Sequence, residues 1–423
     1  MPNRLTRWII IALVLGIASG YIAYAYFPDS STGFADTAAL LPFVFLRLIK
    51  MIIAPLVFAT LVVGIGKMGD IVTVGRVGGK ALAWFIGASL ISLILGLVLV
   101  QVFEPGRAMQ LPIPEASVSS GVQGGALSLK GFLTHLIPVS VIEAMANNEI
   151  LQIVVFSLFF GVALASLGER SKSVIEVLDA VAHIMLKVTG YVMLFAPFAV
   201  FGALASTVAK EGLGIIKVYG LFMGEFYLGL LTLWIILIVL GGLVVGPRIM
   251  QLIRRVREPT ILAFSTASSE AAYPKTLEEL ERFGCSNRIA SFVLPVGYSF
   301  NLDGSMMYCT FAVMFIAQVY GIELSIAQQI LLVAILLFTS KGIAGVPRAS
   351  LVVIAATLPH FNIPEAGMVL LLGIDHFLDM GRSATNVIGN SIATAVVSKW
   401  EGELQTPDAA GVAIAEPSES RLG

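Results

Sequence analysis

Charge is what this chain of 423 residues lacks most. Asp, Glu, Lys and Arg make up 13% of it, against roughly 25% in soluble domains. Hydrophobic residues make up 57%, and the mean hydropathy is +0.92. Such a composition excludes a string of soluble domains and indicates one polytopic membrane bundle. A net charge of -1 provides no basic surface, which argues against nucleic acid as a partner. Cysteine is nearly absent: Cys285 lies in a polar loop and Cys309 in an apolar run, so no structural disulfide is expected. The four histidines (His135, His183, His360 and His376) are scattered without ligand spacing. There is no metal motif, no phosphate-binding glycine loop and no Ser-His-Asp order, so neither an enzyme nor a resident cofactor is expected.

Long apolar runs are what the chain has in their place. The first, after Arg4 and Arg7, is long enough to span a bilayer at about 20 residues and reads as a retained helix starting in the cytoplasm. A second helix is predicted over about 39–66, with Arg47 and Lys50 inside it, snorkelling or facing a protein groove. A third covers about 81–103. Residues 104–130, rich in Pro, Gly and Ser, read as an external loop. A broken crossing is expected over about 133–168, interrupted by Pro138 and Asn147-Asn148-Glu149. A fifth helix runs to about Val208 with Pro197 inside, and a sixth covers about 218–246. The arginine-rich RIMQLIRRVRE that follows marks cytoplasm.

Beyond Pro259 the pattern changes. Two segments, about 259–284 around STASSEAAYP and about 325–368 around TSKGIAGVPRAS, are too short or too polar to cross as ordinary helices. Each precedes a helix bearing polar residues. Broken segments in corresponding positions of two halves point to re-entrant hairpins of a transporter built from inverted repeats. In the last helix, Asp375, Asp379, Arg382, Asn386 and Asn390 fall on one stripe at 100° per residue. A lone charge at bilayer depth costs about 3 kcal/mol, so this stripe needs a polar interior. A buried ion pair that only fixes packing and a substrate site in a carrier both meet that need.

Taken together, RLIKMIIAPLVFATLVVGIGKMGD, EAMANNEILQIVVFSLFFGVAL, TASSEAAYP, LPVGYSFNLDG, SKGIAGVP and LDMGRSATNVIGN resemble the dicarboxylate/amino acid:cation symporters, the family of the glutamate transporter homologues. The resemblance covers nearly the whole chain. It implies an all-α membrane protein of eight transmembrane helices plus two re-entrant hairpins. It implies a homotrimer in a bacterial-type inner membrane with both termini cytoplasmic. Residues 1–80 and 133–246 would supply mainly scaffold and trimer contacts, with helices 3 and 6 joining the moving unit. Residues 258–399 would form the transport core and 400–423 a cytoplasmic tail.

By the same resemblance Ser268, Ser269, Ser305, Val346, Asp379, Arg382, Ser383 and Asn386 would contact substrate. Arg382 would grip a side-chain carboxylate and Asp379 an ammonium. Ser89, Gly297, Ser299, Asn301, Asp303, Ser340, Asn386 and Asn390 would serve co-transported H+ or Na+. The chain also departs from the well-studied sodium-coupled members. Asn390 stands where they have an acid, and Ala88 precedes Ser89 where they have threonine. Glu270 follows the hairpin serines, as in bacterial dicarboxylate carriers, which lack the DMGR pattern. Arg348 stands where many relatives have glycine. The expected activity is import of glutamate or aspartate with cations; the alternative is C4-dicarboxylate:cation symport.

Overall fold

The structure is a computed structural model that describes residues 2–68, 71–108, 133–134, 136–212, 214–340 and 349–405. Among these the architecture is all-helical, and six stretches are long and apolar enough to cross a membrane by length and composition. The longer helices are α1 (Pro2–Tyr26), α2 (Pro28–Met68), α3 (Ile71–Phe103), α4 (Ile150–Leu167), α5 (Lys172–Val192), α6 (Ala196–Glu211) and α7 (Gly214–Val245). The second half holds α8 (Ile249–Thr266), α9 (Tyr273–Phe283), α10 (Asn287–Phe300), α11 (Asp303–Val319), α12 (Ile326–Thr339), α13 (Ala349–Thr357) and α14 (Asp375–Trp400).

Several elements begin earlier than hydropathy predicts. α2 starts at Pro28 rather than near 39, and α3 at Ile71 rather than near 81. The first broken segment, predicted from about 259, likewise begins earlier, because the arginine segment before it is the first part of α8. Its Leu252 and Val256 are buried four residues apart while Arg254, Arg255 and Arg257 face outward, an amphipathic turn that a count of charges hides. The fifth helix is divided by a 3-10 turn at Met193–Phe195, and Pro197 lies in the first turn of α6 rather than mid-helix. That position needs no N–H. The fourth region is broken as expected: a short helix, Val141–Ala146, is capped by Ser140, and Asn148 adopts a left-handed φ of 55° before α4.

The chain reverses where the first broken segment is predicted. Between α8 and α9 the chain reverses through Ala267, left-handed at φ 49°, and a 3-10 turn at Glu270–Ala272. Pro274 then opens α9, and Gly284 (φ 112°) ends it. α10 and α11 are halves of one crossing interrupted at Asn301 and Leu302, whose φ/ψ leave the helical region. Both arms of the second predicted hairpin, α12 and α13, are present. Its tip, with Gly342, Ala344, Gly345, Val346, Pro347 and Arg348, lies outside the described residues.

α14 is the centre of the bundle. α7, α8, α10 and α11 pack against it, and every residue from Met380 to Ser398 is buried. The polar stripe therefore faces protein, and so do Ile374, Val387, Ile392 and Val396 on the opposite side. After Trp400 a short strap clips several elements together. Glu401 accepts from Arg76 (3.0 Å) and Lys80 (2.7 Å) of α3, and Glu403 accepts from Arg288 Nε at the start of α10 (2.7 Å). The Gln405 N–H donates to the Gly284 carbonyl (2.9 Å), Arg248 donates to the Gln405 carbonyl (2.9 Å), and Leu404 forms a single antiparallel bridge with Cys285.

Candidate functional site

The site grows from the first turns of α14. Arg382 is 1% exposed yet fully charged, so it needs partners. Its Nη2 bonds Asp375 Oδ1 at 3.1 Å and Asp379 Oδ1 at 2.8 Å, the acids lying seven and three residues earlier on the same helix. Tyr308 of α11 closes the other side: the guanidinium carbon lies 4.1 Å from the ring centroid, a cation–π contact. The Tyr308 hydroxyl donates to Asp375 Oδ1 at 3.3 Å. Asp375 is thereby locked in place. The Asp379 side chain is 27% exposed, against 1% for Asp375. Arg382 Nε and Nη1 are buried and have no hydrogen-bond partner among the described residues. Leaving such donors bare is costly, and each can donate a charge-assisted hydrogen bond to an anionic oxygen.

One turn further, Asn386 links α14 to the start of α11. Its Oδ1 accepts from the Gly304 N–H (2.9 Å), and its Nδ2 donates to Ser305 Oγ (3.3 Å). Another turn on, Asn390 joins a second polar nest at the α10–α11 break. Asn301 Nδ2 donates to Asp303 Oδ2 (3.0 Å) and to Asn390 Oδ1 (3.2 Å). Asn301 and Asp303 are fully buried, and Asp303 sits in the first turn of α11, where the helix dipole favours an anion. Ser92 of α3 reaches Asp303 Oδ1 at 3.4 Å. Two glycines leave room for the nest: a Cβ on Gly389 would meet the Asp303 carboxylate, and one on Gly297 would meet Asn390 Oδ1. The Asn301 Oδ1 and Ser299 Oγ atoms are buried and have no partner among the described residues. They are oxygens suited to a hard cation or a proton-bearing group.

The remaining predicted residues sit at different distances from these two clusters. Ser383 is buried beside Arg382 on α14. Ser89 is fully buried on α3, one turn before Ser92. The Gly297 carbonyl accepts the Asn301 N–H at 2.7 Å, ending α10. Ser340, at the end of α12, donates to the Leu337 carbonyl (3.3 Å) and to Met306 Sδ (3.7 Å) in the first turn of α11. In the first hairpin, Ser268 Oγ caps the Ala271 N–H at 3.3 Å, and Ser269 is buried at the tip. Val346 lies outside the described residues. Sequence reasoning left two contributors without a role. Asp375 was visible on the stripe, but its place as the second carboxylate on Arg382 was not. Tyr308 carried no signal at all, because its ring meets Arg382 only through the packing of α11 on α14.

A buried arginine held between two acids thus lies next to a nest of amide and carboxylate oxygens at a broken helix. Comparison with known proteins shows the family. Residues 5–400 match the family model described as the sodium:dicarboxylate symporter family. A C4-dicarboxylate transport protein of Laribacter hongkongensis is 40% identical over 407 residues, covering 94% of this chain and 90% of the relative. One of Bacillus subtilis is 38% identical over 408 residues, covering 95% and 94%. One of Rhodospirillum rubrum is 40% identical over 412 residues, covering 95% and 90%. The chain therefore belongs to the sodium:dicarboxylate symporter family, a family of membrane transporters rather than enzymes.

Proposed function

We propose that this chain imports a C4-dicarboxylate together with cations, across the cytoplasmic membrane of a bacterium. The observation that carries the reading is likeness to relatives named C4-dicarboxylate transport proteins at 38–40% identity over nearly the full length. The geometry supports it through Arg382, whose buried Nε and Nη1 each keep a charged donor without a partner among the described residues, so that an anionic oxygen can be received there. It also supplies a reason for coupling. Arg382 with Asp375 and Asp379 carries one net negative charge, so a dianion enters an already negative site. Cations held near Asp303, Asn301 and Asn390 offset that repulsion, which makes joint binding favourable where either alone is not. Co-transported H+ or Na+ would take this role. The fold read here is eight crossings and two hairpins in a trimer, with an elevator-like movement of the 258–399 core past a scaffold.

A second reading rests on Asp379. Its carboxylate is the more accessible of the two on Arg382, and it can receive the ammonium of aspartate, which has the same four-carbon skeleton. Uptake into reconstituted vesicles, with sodium and pH gradients imposed separately, tests both. Saturable succinate uptake that is lost in Arg382→Ala supports the first. Aspartate uptake with no competition by succinate overturns it in favour of the second. Asp379→Asn would then abolish aspartate uptake and leave any succinate binding in place.

A further inference from the structure

The two sides of the bundle that meet near the start of α14 are each tightly interlocked. On one side α1 and α6 pack almost backbone to backbone: a Cβ on Gly16 or Gly20 would stand 2.7 Å from the Phe201 or Ala205 carbonyl. On the other, α7 and α14 interlock at Gly381, where a Cβ would meet Leu230 at 2.6 Å and Tyr227 at 2.9 Å. The Tyr227 hydroxyl also donates to the Phe377 carbonyl at 2.6 Å. Between the two pairs the packing fails. A cavity of about 200 Å³ lies there, walled by Leu13, Ile17 and Leu204 on one side and by Tyr227, Phe377 and Met380 on the other.

Protein interiors seldom leave voids larger than a water molecule. A pocket this large, open on one side, leaves part of its lining without dispersion contacts from the protein. Its walls are almost wholly apolar, and an apolar cavity does not hold water. It is not sealed, however. Ile17 at its edge is 37% exposed, and it continues into the outward apolar faces of α1 (Ile10, Val14) and α7 (Leu221, Leu228). Both helices are long and apolar enough to span a membrane. The medium outside the mouth is therefore hydrocarbon. We infer that the cavity between α1/α6 and α7/α14 is a binding site for one acyl chain of a membrane phospholipid, entering sideways past Ile17. The chain fills the space with methylene contacts and lies against Met380, the residue next to Asp379. The inference does not depend on which substrate the carrier takes.

Photolabelling tests it. The full-length protein is reconstituted in vesicles of phosphatidylcholine doped with a phosphatidylcholine carrying a diazirine in its acyl chain, and labelled peptides are mapped by mass spectrometry. Met380 is 4% exposed, out of reach of bulk lipid, whereas Leu228 on the outer face of α7 is 51% exposed. Labelling of both the Phe377–Met380 stretch and Leu228 is the expected result. Leu204→Trp, which fills the cavity, should cut labelling of Phe377–Met380 at least tenfold and leave Leu228 unchanged. Leu204→Phe serves if the larger residue prevents folding. Labelling of Leu228 alone, or labelling of Phe377–Met380 that survives both fillings, overturns the inference.

Discussion

Arg382 of α14 lies on the face of Tyr308 of α11, with 4.1 Å between guanidinium carbon and ring centroid. The contact joins the two helices that carry most of the candidate site. It also turns Nε and Nη1 away from the acids that hold Nη2. Removing the ring should matter more than removing the hydroxyl. A desolvated cation–π contact contributes about 2 kcal/mol, so Tyr308→Leu should weaken succinate binding about 30-fold. Tyr308→Phe loses one long hydrogen bond, about 1 kcal/mol, and should weaken it about fivefold. Calorimetric titration of the purified variants measures both; equal losses would place the hydroxyl, not the ring, in charge of Arg382.

Gly389 is the second test. Alanine usually favours a helix over glycine by about 1 kcal/mol. Here its Cβ would take the place of the Asp303 carboxylate, which would have to give up the Asn301 amide. Gly389→Ala should lower apparent cation affinity at least tenfold, while substrate binding recovers at saturating cation. Cation titrations of substrate binding check this, and an unchanged midpoint would remove the Asp303 nest from the coupling.

Asn390 places a neutral amide oxygen 3.2 Å from the Asn301 amide. Asn390→Asp adds a full charge to the nest without changing its shape. The expected result is a higher apparent sodium affinity and lower thermal stability without sodium, because two carboxylates then share one donor. Melting curves with and without sodium report both; no sodium-dependent difference would show that no cation reaches this position.

How much of this was legible in the sequence follows from the kind of signal each feature leaves. The apolar crossings and the broken segments are local in sequence, so hydropathy and turn residues find them. The reversal between α8 and α9 is one example, since it falls in the polar STASSEAAYP run that marked the first broken segment. The stripe of α14 was visible because helical spacing is fixed. The start of α8 was misplaced because its arginines were counted and not set on a face. Tyr308 and Gly389 were silent because their roles exist only once two helices are packed. The strap after Trp400 was silent too, for a single bridge has no repeating pattern.

Glu401 supports a prediction on pH. Burial alone would raise its carboxyl, and the hydrogen bonds and charges of Arg76 and Lys80 more than offset this, leaving it below the ordinary value of 4.5. A group held low in the folded chain contributes its stability in full above that ordinary value and loses it as pH falls through the depressed one. Glu401→Gln should therefore lower the melting temperature at pH 6, by an amount corresponding to about 1 kcal/mol or less, since both of its cationic partners are partly solvent-exposed and screened. The gap from the parent protein should shrink at pH 3.5. A gap that stays constant across this range would mean that the carboxylate charge contributes nothing.

The strap has a mechanical consequence as well. Gln405 is bonded to Gly284 at the end of the first hairpin and to Arg248 at the foot of its opening arm. Glu401, four residues earlier, is bonded to α3. Hairpin, central helix and α3 thus share one hinge-less anchor at this end of the molecule. The first hairpin cannot swing away from α14 there without breaking the Gln405–Gly284 bond. Any displacement that keeps the bond intact must carry all three elements as a single lever, with its free end at the Ser268–Ser269 tip.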